Sequence, residues 1–405
     1  MKSAPIIPIP GSKSIAQRAL LCAALCAKPT ILHNVPDGDD VGHLMQALVQ
    51  CGVEIKPLEE FSFEIIPPKE FALQNPDFNV GHGGAPLRFL MSFLGLIPGK
   101  KILDGSERLR ERPIGPFIHA LKNAGADIND KLPLTIGQHK LSEEVTIQGG
   151  DSSQGISSLL LSGVALGVKK IIITGERTSV SYLNLTQKVL ADFGILIAET
   201  MDGYMLLGHY TSHETYFVEP DWASVGYLAG ISLLQNKPFI IPHLTLNSPQ
   251  PDALIVPALK AMGMEIGETP EGLLFTPSGA LQSPGTVDCR LFPDSALTLA
   301  VLAAFCKGST TLTGLHTLPL KECDRLTSLH TELAQMGILS EITEDTITIH
   351  GGDPKPATIQ TYDDHRMAMA FGMAQVRLPE LRIENPEVVS KSFPGFWDVM
   401  GNMKC

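Results

Sequence analysis

The chain has 405 residues, 44% of them hydrophobic, which is enough for two domains with full cores and too apolar for a disordered protein. Its 31 Lys plus Arg against 43 Asp plus Glu give a formal charge of −12, which argues against a broad nucleic-acid surface. No apolar run reaches membrane-spanning length, Met1-Lys2-Ser3-Ala4-Pro5 lacks a signal-peptide layout, and the 7 scattered cysteines form neither a CxxC pair nor zinc spacing. The expectation is a cytoplasmic protein with reduced thiols, no metal, no membrane and no nucleic-acid partner.

The first informative stretch is Pro10-Gly11-Ser12-Lys13-Ser14-Ile15-Ala16-Gln17-Arg18, which runs into an apolar helix over 19–25. A helix starting here presents unpaired N–H groups and the positive end of its dipole. Ser14 and Arg18 are four apart and share a face. Hydroxyl, ammonium and guanidinium groups beside those N–H groups suit a phosphate or carboxylate. A Ser-capped helix with solvated Lys and Arg fits the same residues.

Next come Gly81-His82-Gly83-Gly84-Ala85-Pro86-Leu87-Arg88, a glycine-rich turn opening onto a helix over 89–94. It reads either as a close backbone approach to a ligand or as a tight strand–helix connection. Arg108-Leu109-Arg110-Glu111-Arg112-Pro113 is a basic patch, with Pro113 predicted at the first position of a helix and Arg112 at its N-terminus. Segments 129–150 and 198–218 read as hairpin strands. Between them, Ser152-Ser153-Gln154 precede an apolar helix over 156–166, as caps or as ligands for a phosphate or polyol. Pro220 marks a chain crossing between domains.

In the second half, Phe292-Pro293-Asp294-Ser295 puts a carboxylate at a strand–helix junction. Lys321-Glu322-Cys323-Asp324-Arg325 is predicted to open a helix, with Lys321 and Arg325 on one face and Glu322 beside Arg325. A carboxylate among cations is a candidate proton shuttle, although an ion-paired helix surface looks the same. Asp363-Asp364-His365-Arg366 offers capping aspartates and an arginine in a first turn; His365 reads as structural. Ser390-Lys391-Ser392-Phe393-Pro394 places a lysine before the last helix.

One pattern recurs along the whole chain. An amphipathic helix, a glycine and an alternating strand repeat with glycines at 52, 125, 194, 263 and 337, spaced by 69 to 74 residues. Met400-Gly401 reads as the start of a truncated sixth copy. The expected architecture is α/β, two domains of three units each. Lys13, Arg18, Arg112, Lys321, Arg325, Arg366 and Lys391 all fall at or near predicted helix starts, an arrangement suited to small multi-anionic substrates.

These residues together resemble the enolpyruvyl transferase family, and within it the shikimate-type enzymes. The resemblance runs over 10–396 and rests on PGSKS with Arg18, ERPIG from Glu111, SSQ from Ser152, PDWAS from Pro220, PDSALT from Pro293, KECDRL from Lys321, DDHRMAM from Asp363 and KSFP from Lys391. It implies a fold of six βαβαββ units, three per domain, with an inter-domain cleft. The implied domains are 13–218, and 1–12 with 219–405. The implied reaction transfers the enolpyruvyl group of phosphoenolpyruvate to the 5-hydroxyl of shikimate 3-phosphate, releases phosphate and needs no cofactor. A monomer acting on small molecules is implied.

By the same resemblance, Lys13, Asp294 and Glu322 would be catalytic. Lys13, Ser14, Arg18, Ser152, Ser153, Gln154, Ser179, Tyr182, Asp294 and Lys321 would hold shikimate 3-phosphate. Lys13, Gly84, Arg112, Gln154, Arg325, Arg366 and Lys391 would hold phosphoenolpyruvate. The chain departs from the family pattern where Asn-Ala-Gly-Thr is usual and His82-Gly83-Gly84-Ala85 stands, at Phe89 in place of a common proline, and at Thr317 in place of a frequent asparagine. Two other readings are a UDP-N-acetylglucosamine enolpyruvyl transferase and a non-catalytic anion-binding relative. The first typically carries a cysteine before the ERP-like arginine, and 104–112 holds none. The second does not need retained carboxylates among its cations.

Overall fold

The computed structural model describes residues 4–150, 153–175 and 180–404. The chain forms two compact units, Gly11–Glu219, and Met1–Pro10 with Pro220–Cys405. Each has its own hydrophobic core. Both are mixed helix and sheet, built from small sheets rather than one large one.

The repeat is visible in the sheets. Strand Glu144–Gln148 leads through helix Ser153–Leu166 to strand Lys170–Thr174, which lies parallel to it. Helix Val180–Asp192 follows, and then the hairpin Ile195–Thr200 and Gly203–Gly208. Strand Thr286–Asp288, helix Ala296–Ala304, strand Gly308–Thr313, helix Arg325–Gln335 and the hairpin Leu339–Ile342 with Ile347–Gly351 repeat that order and pairing. The first repeat of each unit borrows its leading strand. Thr215–Phe217 pairs in parallel with Thr30–His33, and Ile6 bridges in parallel to Ile240.

All five repeat glycines adopt positive φ, from 76° at Gly337 to 103° at Gly263. Each ends a helix in the left-handed conformation that other residues adopt only with strain. The strand expected after Gly125 shrinks to an isolated bridge between Ile128 and Ile136, because the chain turns at once through Asn129, whose side chain binds the carbonyls of Lys131 and Pro133. The hairpin expected over 129–150 does not form. Leu134–Ile136 pairs antiparallel with Lys101–Asp104, while Glu144–Gln148 begins the next repeat. Within 198–218 the hairpin forms only up to Gly208, and Thr215–Phe217 joins another sheet. Gly401 lies inside helix Phe396–Lys404 and caps nothing.

The helices after each repeat's leading strand are the most buried. In Ala296–Ala304 every residue is buried, as is Trp222–Gln235 up to Leu234. Helices apolar all round must lie inside a unit. Lys13–Leu25, Gly84–Phe93 and Ser153–Leu166 occupy the same place in the other unit. Lys13, Ser14, Gly84, Ser153 and Gln154 stand in the first turns of these helices, and buried polar side chains such as Arg18, Ser157 and Ser158 lie further along them.

Candidate functional site

In the Gly11–Glu219 unit, Lys13 is the first residue of its helix and its Nζ lies 2.8 Å from Asp40 Oδ2. Asp40 is buried in the first turn of helix Asp39–Gln50. Arg18 is five residues, about 140° around the helix, from Lys13, and takes other partners. Its Nη1 donates to the Ser14 carbonyl at 2.8 Å and its Nε to Thr186 Oγ1 at 2.8 Å. Its guanidinium lies 5.2 Å from the centre of the Phe89 ring. Burial lowers the Arg18 pKa to about 10, still far above neutrality. Ser14 and Arg18 thus share a face as expected, bonded through the backbone of one and the side chain of the other.

The helix after the glycine-rich turn starts at Gly84, five residues before the expected 89, because Pro86 fits a first helical turn. A Cβ on Gly84 would lie 2.5 Å from Arg112 Nη1. The guanidinium of Arg112 therefore rests on the backbone at this helix start. Arg112 ends a short helix, Glu107–Glu111, and Pro113 is not in the next one, which spans Gly115–Asn123 with Pro116 in its first turn. Of the basic patch, Arg108 pairs with Glu111 at 2.9 Å and Arg110 with Asp104 at 3.0 Å. Ser153 and Gln154 open helix Ser153–Leu166, and Tyr182 lies in the first turn of Val180–Asp192, half-buried. Ser152 and Ser179 lie outside the described residues.

The other unit gathers its candidates into one network. Asp294, in the turn Pro293–Ser295 before helix Ala296–Ala304, meets three cations. Arg325 Nη1 is at 2.9 Å, Arg366 Nη2 at 3.0 Å and Lys321 Nζ at 3.2 Å. Glu322 takes Lys391 Nζ at 2.6 Å and Arg325 Nη2 at 2.9 Å. Arg325 is 1% exposed, and its Nε and Nη2 also bind Asp364 at 2.7 and 3.1 Å. Asp364 in turn accepts the backbone N–H of Arg366 at 2.8 Å and so caps helix His365–Gly372. Asp363 adopts positive φ and does not cap. Arg366 Nη1 donates to the hydroxyl of buried Tyr227 at 3.3 Å.

Lys321 does not open the helix. The helix begins at Arg325 behind its cap Asp324, and Lys321 is extended, with φ −86° and ψ −159°. Lys321 and Arg325 meet Asp294 by this loop geometry rather than by a shared helix face. Burial by itself would raise the Asp294 pKa, but Arg366, Lys321 and Arg325 together outweigh it and hold the carboxyl well below the usual range. Burial likewise disfavours the Arg325 cation, and Asp364, Glu322 and Asp294 reverse that effect, so its pKa is raised. Both groups are ionised at neutral pH. Asp294 gains basicity only when its cations turn to another anion.

Sequence reasoning did not single out Asp40 or Tyr227. Asp39-Asp40 after Gly38 at a helix start was a legible signal; a tyrosine in an apolar helix was not. Among the described residues, no cluster of three or more His, Cys, Asp or Glu is placed to hold a metal ion, and no helix is long and apolar enough to cross a membrane.

A family model described as EPSP synthase (3-phosphoshikimate 1-carboxyvinyltransferase) matches residues 4–400. A 3-phosphoshikimate 1-carboxyvinyltransferase from Laribacter hongkongensis is 34% identical over 418 residues, covering 98% of this chain and 96% of the relative. One from Vibrio campbellii is 32% identical over 416 residues, with the same coverage. Among solved structures, EPSP synthase from Acinetobacter baumannii has the same fold, with TM-score 0.77, 22% identity and coverage of 99% and 97%. The enolpyruvyl transferase NikO from Streptomyces tendae also shares the fold, with TM-score 0.73, 16% identity and coverage of 99% and 94%.

Proposed function

The chain belongs to the EPSP synthase (3-phosphoshikimate 1-carboxyvinyltransferase) family, and from that premise we propose how its own residues move the enolpyruvyl group of phosphoenolpyruvate onto the 5-hydroxyl of shikimate 3-phosphate, releasing phosphate. The observation that carries the assignment is the Asp294–Glu322 network, in which two carboxylates share Arg325 and each holds further cations.

Addition requires a proton on the methylene carbon of phosphoenolpyruvate and removal of one from the acceptor hydroxyl. Asp294 is assigned as the base for that hydroxyl. Its depressed pKa makes it a poor base at rest, and anionic substrates drawing Arg366 and Lys321 away would raise it toward use. Glu322 and Lys13 are assigned the protons at the enolpyruvyl carbon and the leaving phosphate. A tetrahedral intermediate then loses phosphate as proton flow reverses.

Arg112, Arg325, Arg366, Lys391 and Lys13 would hold phosphoenolpyruvate by charge-assisted hydrogen bonds, and Gly84 and Gln154 are assigned to the same ligand. Ser14, Arg18, Ser152, Ser153, Gln154, Ser179, Tyr182, Lys13, Lys321 and Asp294 would hold shikimate 3-phosphate. The replaced residues His82 and Ala85 leave the Gly84–Arg112 contact in place, which supports retention of the phosphoenolpyruvate role. Burial of Arg18 and Arg325 supports a fixed, preorganised placement of these two cations. The enzyme is read as a cytoplasmic monomer.

The test is phosphate release from phosphoenolpyruvate by the purified chain, with and without shikimate 3-phosphate. Release only with both substrates supports the assignment. No release from folded protein refutes it.

A further inference from the structure

We propose that Asp252 is a positioning residue for the reaction, fixing the turn that carries Asp294 through Ser295 and supplying a further negative charge to the Asp294 network. Neither ligand set includes it, and the inference rests on the reading of Asp294 as the base.

Asp252 lies in the turn Pro251–Ile255 and is 6% exposed. Its Oδ1 accepts a hydrogen bond from Ser295 Oγ at 2.6 Å. Ser295 is itself buried and directly follows Asp294 in the turn Pro293–Ser295. A short bond from one buried turn to the next restricts how far the Asp294 carboxylate can swing. The Asp252 turn is anchored on its other side. Two residues earlier, buried Gln250 donates from Nε2 to the Pro220 carbonyl at 2.8 Å and accepts at Oε1 from Trp222 N–H at 3.1 Å. A hydrogen-bonded path therefore runs from the start of helix Trp222–Gln235 through this turn to Ser295.

The charges around it point the same way. Lys321, Arg325, Arg366 and Lys391 are held by the carboxylates Asp294, Glu322 and Asp364, leaving one positive charge in excess. An ionised Asp252 adds a negative charge that attracts Arg366, itself a partner of Asp294. Burial pushes the Asp252 carboxyl up to about 6; against this, Arg366 and the Ser295 hydroxyl favour its charged form, while Asp294 and Asp221 oppose it. A buried carboxylate held at such a cost, against the turn of another carboxylate, fits a role in placing charge better than one in packing.

The test compares kcat, both KM values and thermal midpoints of the full chain with those of Asp252→Asn, Ser295→Ala, their double variant and Asp294→Ala. Asp252→Asn keeps an oxygen for Ser295 and removes the charge; Ser295→Ala does the reverse. The expected result is a fall in kcat of about tenfold to a hundredfold in each single variant, as for a misplaced catalytic group. Both KM values should stay within about threefold of the parent. The double variant should be no worse than the worse single one, since the two residues act as one unit. The midpoint of Asp252→Asn near neutral pH should equal or exceed the parent's, which loss of a merely structural residue would not produce.

Parent-like kcat in both single variants, with Asp294→Ala inactive, overturns the inference. So does a lowered midpoint with kcat unchanged. Should Asp252→Asn fail to fold, Ser295→Ala decides by the same kcat and KM criteria. Full activity in Asp294→Ala instead refutes the assignment of the base.

Discussion

The guanidinium of Arg112 lies where the side chain of any residue other than glycine at position 84 would have to be, 2.5 Å from a Cβ built there. Gly84→Ala must therefore move Arg112 or the helix start. The expected outcome is a KM for phosphoenolpyruvate raised by about tenfold or more, the equivalent of about 1.4 kcal/mol, with the shikimate 3-phosphate KM little changed. Steady-state kinetics with each substrate varied in turn measure this. Equal changes in both KM values would refute it.

Glu322 joins Lys391 to Arg325. Glu322→Gln keeps the shape and removes the charge and the transferable proton. Turnover should fall by about 10²- to 10⁴-fold, the usual contribution of a positioned acid or base. Calorimetric affinity for shikimate 3-phosphate should stay near the parent's. Parent-like turnover would remove Glu322 from the chemistry.

The depressed pKa of Asp294 has a signed consequence for stability. Its folded pKa lies below the unfolded value of about 3.9, so its ionised form stabilises the fold above that value. The contribution is lost as pH falls through the folded pKa. Asp294→Asn should be less stable than the parent near neutral pH, and the gap should close below about pH 4. Thermal midpoints across that range check the convergence; a constant gap would contradict it.

Arg325 and Arg108 offer a contrast in burial. Arg325 is 1% exposed and pairs with Asp294, Glu322 and Asp364. Arg325→Met strands buried carboxylates and should cost about 3–5 kcal/mol in urea unfolding. Arg108, 40% exposed and paired with Glu111, should cost about 0–1 kcal/mol when replaced by Ala. Similar losses would show that burial does not set the difference.

What was legible in the sequence was what depends on neighbours along the chain. The five glycines of the repeat report a local backbone need, and each has the expected positive φ. Helix starts at Lys13 and near Asp294 and Arg366 follow from turn residues beside apolar runs. Lys321 lies before the helix expected to open there because Asp324, three residues on, supplies a stronger cap and delays the helix. Asp252 and Tyr227 leave no local signal because what distinguishes them is a partner 43 or 139 residues away, and the acidic helix start at Asp39-Asp40 is legible without showing that Asp40 meets Lys13, 27 residues away. A carboxylate's role in such a network is set by which cation the fold delivers to it, and local pattern carries no trace of that.

The borrowed leading strands make the two units unequal as stretches of polypeptide. Gly11–Glu219 closes on its own last strand, Thr215–Phe217, so a transcript for that stretch alone carries every strand its sheets use. The other unit needs residues from the far end of the chain. Ile7 N–H donates to the Ile240 carbonyl at 2.8 Å, Ile240 N–H returns a bond to the Pro5 carbonyl at 2.9 Å, and Ile7 and Ile9 enter its core. A ribosome finishes the first unit while the second still waits for most of its sequence, with its earliest segment made some two hundred residues before its partner (about 230 by the Ile6–Ile240 bridge). Split expression, or permutation that joins the ends, should thus treat the halves differently: one is a self-sufficient insert, and the other a host that the insert interrupts.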